Sequence, residues 1–104
     1  MRAQGTNQVL IDGTLAEKRP LRHTPAGIAV AEARLAHGSE QMEAGTPREA
    51  HCEIALLAIG DPATWLAAAP VGSLLRIRGF LSARSRNSKT PVLHVQTIEF
   101  LEGS

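Results

Sequence analysis

The stretch that decides the fold is Val71–Leu101, VGSLLRIRGFLSARSRNSKTPVLHVQTIEFL. Apolar and polar residues alternate in its first part with the period of two that is typical of a strand and not of a helix. One face of this part carries Leu75, Ile77 and Leu81, and the other carries Arg76, Arg78, Phe80 and Ser82. The second part, Val92–Leu101, is rich in residues that favour a pleated surface. Pro91 precedes it, at the start of the strand, where the backbone N–H that proline lacks is not required for pairing. The stretch therefore predicts a β-hairpin with strands at Ser73–Ala83 and Val92–Leu101.

The loop of this hairpin is strongly basic. Residues 84–90 (RSRNSKT), called the basic loop below, contain Arg84, Arg86 and Lys89 and no acid. Residues 62–98 contain five Arg or Lys and no Asp or Glu, although the formal net charge of the 104-residue chain is only +1. An anionic partner is therefore indicated by the distribution of charge and not by its total. The other interpretation of the same three cations is an ordinary solvated loop.

Three further strands are predicted before the hairpin. Residues 8–15 alternate, and Asp12-Gly13 in this segment would allow a bulge or a bend at a barrel corner. A polar connection follows over residues 16–24, and Thr24-Pro25-Ala26-Gly27 has the composition of a tight turn. Residues 28–37 (IAVAEARLAH) are rich in helix formers, but their period of two and the turn before them favour a strand. We predict a strand there, because the neighbouring strands need an antiparallel partner.

The middle of the chain is predicted to hold a loop, a strand and a short helix. Residues 38–47 are polar and carry two glycines, which indicates a loop, and Arg48–Ile59 alternates as a third strand. We expect this strand to turn His51 and Glu53 outward and to place inward Ala50, Cys52, Ile54 and Leu56. Asp61 is predicted to cap a helix over residues 63–69, with Pro62 in its first turn. Trp65 and Leu66 on this helix could close one end of a barrel.

The order of elements is three strands, a short helix and two strands. This is the arrangement of the OB-fold, an all-β, five-stranded Greek-key barrel with a helix between strands 3 and 4. We expect one such domain over residues 1–104.

Composition argues against several classes of protein. The single cysteine, Cys52, excludes an internal disulfide and multi-cysteine metal sites, and it suits the reducing cytoplasm. His51-Cys52-Glu53 matches half of a zinc deaminase motif, but the second half requires two further cysteines. No segment approaches the ~20 apolar residues of a membrane helix, and no signal peptide is visible. The sequence therefore predicts a cytoplasmic protein that is not an enzyme and has no metal or cofactor.

The sequence also resembles the primosomal replication protein N (PriB) family, which is related to bacterial single-stranded-DNA-binding proteins. The resemblance spans nearly the whole chain, and the segments that carry it are Pro20-Leu21-Arg22, Pro25-Ala26-Gly27-Ile28, Glu43-Ala44-Gly45, Ala50 with Cys52, Val71-Gly72-Ser73, Gly79-Phe80-Leu81-Ser82, Val92-Leu93-His94, and Gln96 with Ile98 and Glu99. It implies an OB-fold homodimer that binds single-stranded DNA. It also implies a role in replication restart, with the PriA helicase and other primosome proteins as partners.

The resemblance bears on which residues would bind DNA. In OB-folds the loop between strands 4 and 5 forms one wall of the nucleic-acid groove, so the basic loop becomes a candidate. His51 stands where the family pattern has an exposed tryptophan, and Thr46 stands where it has a phenylalanine. The resulting candidate nucleic-acid-binding residues are Arg84, Arg86, Lys89, His51, Arg48, Arg34, Arg22 and His23.

Two of these interpretations stay open at the level of sequence. His51 could stack on a base or simply pair with Glu49 or Glu53 at an exposed position. Phe80 lies beside Arg76 and Arg78 and could stack on a base, although a Phe in a small barrel is more often part of the core. Because His51 and Thr46 stand where the family pattern has aromatic residues, a protein–protein adaptor with weak or no DNA binding is the alternative function.

Overall fold

The computed structural model describes residues 4–101 and contains strands in all the predicted alternating segments. The elements are β1 (Val9–Lys18), β2 (Arg22–His23), β3 (Ala29–Glu43), β4 (Thr46–Ile59), α1 (Asp61–Ala68), β5 (Leu74–Ala83) and β6 (Pro91–Phe100). The β5–β6 hairpin lies within one residue of its predicted bounds. The ambiguous segment at residues 28–37 is a strand, as predicted.

Five of the strands close into a barrel in the order β1-β5-β6-β4-β3, and β3 returns to β1. The β4–β6 pairing is parallel and short, with Leu56 opposite Leu93 and Leu57 opposite His94. The remaining strand, β2, adds two residues to the outer edge of β3. This topology confirms the predicted OB-fold.

The barrel is filled by small and aliphatic side chains. The fully buried large side chains are Leu15, Leu35, Leu56, Leu66, Leu75, Ile77 and Leu93. Within residues 4–101 the buried cluster contains no aromatic ring. Alternation along β3 and β4 then turns the intervening side chains away from this core.

A glycine allows β5 to approach β6 closely at a bulge. The register shifts between Arg78 and Gly79, because Gly79 lies opposite Val95 while Arg78 lies opposite Thr97. A Cβ atom at Gly79 would lie 1.8 Å from the backbone oxygen of His94. Only glycine fits this position, so the bulge depends on the residue type.

The β3–β4 hairpin is longer than predicted. The predicted loop at residues 38–47 is wrong, because β3 continues to Glu43 and pairs with β4 down to Thr46. Ala44 and Gly45 have φ angles of 52° and 76°, which makes a two-residue turn whose twist matches that of the flanking strands. This arm extends beyond the core, and Cys52 is therefore exposed instead of inward as predicted.

The short helix differs from its prediction at both ends. Gly60 is the N-cap and no side chain caps the helix, so Asp61 lies in the first turn, where its charge favours the helix dipole. At the other end Lys18 donates from Nζ to the backbone oxygens of Ala67 and Ala69, at 2.8 and 2.7 Å. Lys18 thus satisfies helix carbonyls that have no partner within the helix.

The two apolar residues predicted to close the barrel end have different surroundings. Leu66 is fully buried, as predicted, whereas Trp65 is 46% exposed and the prediction for it is wrong. Ala63 and Leu66, one turn apart, form the buried side of α1 instead.

The segment between β1 and β3 is partly ordered by strand pairing. β1 continues to Lys18, three residues further than predicted, and its partner changes from β5 to β3 at Thr14. The predicted turn is present, since the Gly27 amide donates to the Thr24 oxygen at 2.8 Å. Within residues 4–101, no helix is long and apolar enough to cross a membrane.

Candidate nucleic-acid interface

The outer surface of β3 and β4 is the surface that OB-folds use for nucleic acid, flanked by the β1–β3 connection and the β5–β6 loop. We call it the β3–β4 face. Its side chains alternate with the core residues of both strands and include Glu32, Arg34, His51, Glu53 and Leu57. The charged side chains of this face determine which ligands it can bind.

Two arginines from different loops meet on one carboxylate at the end of this face. Arg22 of β2 donates to Glu32 Oε2 at 3.2 Å, and Arg84 of the basic loop donates to Glu32 Oε1. The Glu32 side chain is only 14% exposed. The hydrogen bond from Arg84 holds the pKa of Glu32 below its usual value, against an opposing effect of burial, and Arg22 lowers it further. Glu32 is therefore ionised and bridges both flanking loops at neutral pH.

Two clefts lie on either side of Glu32. One has an accessible volume of about 90 Å³ and is lined by Arg19, Arg34 and Arg84, among other residues. The other has about 230 Å³ and is lined by Arg19 and Arg22. Arg19 was not among the predicted residues. Its backbone amide donates to the backbone oxygen of Glu32 at 2.9 Å, a pairing that extends the β1–β3 ladder and that no local sequence pattern indicates.

The middle of the face carries a second ion pair and a histidine. Arg34 Nε lies 3.2 Å from Glu53 Oε1, with both side chains exposed. His51 lies over Gly38, where a Cβ atom would be 3.2 Å from its Nδ1 atom. The His51 Nε2 atom lies 3.4 Å from Glu49 Oε1, one of the two pairings considered for an exposed histidine. The ring is 71% exposed and available to solvent.

Two of the predicted residues do not share this face. Arg48 lies on the opposite side of the β3–β4 hairpin from His51, since the two positions differ by an odd number of residues. There it pairs with Glu43 at 2.9 Å. His23 likewise points to the opposite side of the sheet from Arg22, its neighbour in β2. The prediction that both flank the face is therefore wrong.

The basic loop is divided between paired and unpaired cations. Arg84 does not extend away from the barrel. It donates to Glu32, which lies 52 residues earlier in the chain. Arg86 and Lys89 are exposed, and neither has an ion pair with any residue between positions 4 and 101. Arg19, which lines both clefts, is likewise exposed and has no ion pair in the same range, so all three side chains lack an acid partner there.

β5 carries two further cations, Arg76 and Arg78, close to Phe80 in the chain. Phe80 stacks on His94 with 4.8 Å between ring centroids and 16° between ring planes. Phe80 is half-buried on the outer surface, and it is not in the core cluster. His94 covers one face of its ring, which leaves at most the other face for a base.

Arg76 is held by an acid and Arg78 is not. The guanidinium of Arg76 makes two hydrogen bonds to Asp12, at 2.7 and 2.9 Å. These bonds hold the pKa of Asp12 below its usual value. Arg78 is exposed, and among residues 4–101 it has no ion pair.

Within the same range, no group of three His, Cys, Asp or Glu side chains could hold a metal ion.

Comparison with known proteins matches this chain to one family. Residues 7–97 fit the family model described as another single-strand binding protein family. The replication restart protein PriB of Bordetella pertussis is 37% identical over 98 residues, which cover 94% of this chain and 92% of that protein. The PriB of Nitrosomonas europaea is 40% identical over 90 residues, covering 86% and 83% of the two chains. The crystal structure of PriB from Ralstonia solanacearum superposes with a TM-score of 0.82 at 31% identity, covering 92% of this chain and 98% of that chain.

Proposed function

The chain belongs to the PriB family of single-strand binding proteins, and we propose that it binds single-stranded DNA on the β3–β4 face during replication restart. Members of this family are binding proteins and not enzymes. Its place of action would be the cytoplasm, as part of the primosome. Its contribution would be to hold and present the strand.

The observation that carries this proposal is the meeting of Arg22 and Arg84 at the β3–β4 face. One comes from the β1–β3 connection and the other from the β5–β6 loop, the two loops between which OB-folds bind oligonucleotides. Arg19 and Arg34 line the cleft beside them, and Arg86 and Lys89 add unpaired charge to the same loop as Arg84. A flexible polyanion suits a row of cations on a sheet better than a rigid or apolar ligand does.

Phosphate contacts should contribute more than stacking. Phe80 is already stacked on His94, and His51 has a smaller ring than the tryptophan of the family pattern. Aromatic platforms typically contribute ~1–3 kcal/mol per base, so a weak platform shifts the balance toward charge. A single strand held by charge is bound without strong preference for sequence.

A fluorescence anisotropy titration with a labelled oligonucleotide tests the proposal. If about four cations contact phosphates, the logarithm of affinity should fall against the logarithm of salt concentration with a slope near −3, at roughly −0.7 per contact. A hairpin DNA without single-stranded overhangs is the matched control and should bind more weakly. No detectable binding at low salt, or equal binding of the hairpin, would contradict the proposal.

The same observations favour one alternative function, a protein–protein adaptor. Arg22, Arg34 and Arg84 are all in ion pairs with acids of the face, which reduces their attraction for phosphate. An adaptor would act on a helicase without holding DNA itself. The titration separates the two functions, since an adaptor shows no salt-dependent DNA binding.

We further propose that the partner is the PriA helicase. Because the chain is a binding protein, any effect on unwinding has to be exerted through an enzyme. Adding the protein to PriA from the same organism should raise the unwinding rate of a forked DNA, and the effect should weaken with salt because exposed charges are screened beyond about 10 Å at 0.1 M. A helicase of another family on the same fork is the control. An unchanged PriA rate across several forks and salt concentrations would count against the partnership.

We also propose a homodimer that pairs through β1. From Val9 to Gly13, β1 is paired with β5 on one edge only, because its pairing with β3 begins at Thr14. Leu10 on this segment is 55% exposed. An unpaired edge with an exposed leucine is an aggregation hazard unless it is covered, and a second copy covers it symmetrically.

A further inference from the structure

We propose that Glu32 is a built-in competitor of the DNA phosphate: its carboxylate occupies Arg22 and Arg84 in the free protein, and a phosphate binds there by displacing it. This inference rests on the proposed binding of single-stranded DNA to the β3–β4 face. It identifies a group that limits the affinity of that face for DNA.

The geometry of Glu32 is that of an anion already bound between two arginines. Each carboxylate oxygen accepts a hydrogen bond from a different guanidinium, from Arg22 at 3.2 Å and from Arg84. A phosphate offers the same arrangement of acceptors on a single charge centre. The carboxylate therefore takes the donors that a phosphate would use.

The position of Glu32 makes this competition direct. It is on β3, on the same face as Arg34 and beside both arginine-lined clefts, so a strand crossing from one flanking loop to the other passes over it. The side chain is largely buried, whereas Arg22 is 59% exposed and Arg84 is 47% exposed. The arginines can swing outward to a ligand, while the carboxylate stays behind as a repelling charge. A structural ion pair elsewhere on the surface would not have this consequence.

Glu32→Gln tests the inference, because it removes the charge and keeps the shape. In the parent, a phosphate that takes Arg22 and Arg84 leaves the Glu32 charge without its partners, and Glu32→Gln removes that one charge. The variant should therefore have a salt slope more negative by about 0.7 and bind a single-stranded oligonucleotide roughly 5-fold tighter at 0.1 M salt. Extrapolated to 1 M salt, the two affinities should converge.

Two further variants make the result specific. Glu43→Gln removes one negative charge on the other side of the hairpin, where Glu43 pairs with Arg48, and it should leave the affinity within about 2-fold of the parent. The double variant Glu32→Gln with Arg84→Gln should lose the part of the gain that passes through Arg84. Thermal melting of each variant shows whether it is folded in the titration.

The outcomes separate this inference from the proposed function. If the parent protein does not bind the oligonucleotide at all, the proposed function fails. If the parent binds and folded Glu32→Gln binds equally or more weakly, the competitor role is overturned and Glu32 instead positions the arginines. An equal gain from Glu43→Gln would also overturn it, since the effect would then be one of net charge.

Discussion

Replacing Leu10 with proline is expected to convert the proposed dimer into monomers, reducing the mass in solution from twice 11.1 kDa to 11.1 kDa. The reason is the direction of one backbone amide. Asp12 turns its backbone oxygen away from β5, since that oxygen accepts a hydrogen bond from His37 Nδ1 of β3 at 2.6 Å. Leu10 is two residues earlier in the same strand and so presents its amide to the same, open edge. Proline removes this donor and leaves the β1–β5 hydrogen bonds in place.

The His37 contact also limits where a second copy can pair. Its ring fills the gap between β1 and β3 and donates to Asp12, and its Nε2 atom lies 2.7 Å from Ser39 Oγ. The available edge therefore ends before Asp12 and is centred close to Leu10. At the other end of this edge Asn7 fastens the chain to β5 through two hydrogen bonds to the backbone of Leu81.

Light scattering over a range of micromolar concentrations measures this effect. Leu10→Thr is the matched control, because it removes the apolar side chain but keeps the amide and a strand-forming residue. It should weaken the dimer less than Leu10→Pro does. A parent protein of 11.1 kDa would exclude the dimer, and a Leu10→Pro variant that stays dimeric would move the interface away from β1.

Most of the barrel could be predicted because its signals are local. In the first half of β5 the alternation of buried and more exposed residues follows from period two alone. The first strand of the β3–β4 arm lacked that signal. Residues 38–43 are almost all exposed and do not alternate in polarity, and the turn at Ala44-Gly45 lacks the Asn-Gly or Asp-Gly pair that usually marks such a hairpin.

The candidate site was only partly predictable because its contacts join distant segments. The identity and exposure of Arg84 could be inferred from the composition of the basic loop. Its pairing with Glu32, and the placing of Arg22 against the same carboxylate, depend on barrel closure and on the pairing of β2 with β3. The exclusion of Arg48 from the face, in contrast, follows from alternation within the predicted strand Arg48–Ile59, which places Arg48 on the side of Ala50 and opposite His51.

Replacing Arg84, Arg86 and Lys89 together with alanine is expected to weaken binding of single-stranded DNA by on the order of 100-fold at 0.1 M salt. Three lost phosphate contacts at about −0.7 each would remove roughly two units of the salt slope, which is most of a slope near −3. The loss should be similar for all sequences, since phosphate contacts do not distinguish bases. Anisotropy titrations of the parent and the variant at several salt concentrations measure both quantities.

The contribution of His51 provides the contrast, because it tests stacking without changing the basic loop. His51→Ala should cost on the order of 1 kcal/mol or less, and His51→Trp should tighten binding with the salt slope unchanged, since an added ring supplies stacking and no charge. The ring has room for this exchange, because His51 lies over Gly38 and is largely exposed. A triple variant that binds like the parent would show that the basic loop does not hold the strand. Binding that is nearly independent of salt and abolished by His51→Ala would show that stacking, and not charge, holds the DNA on the β3–β4 face.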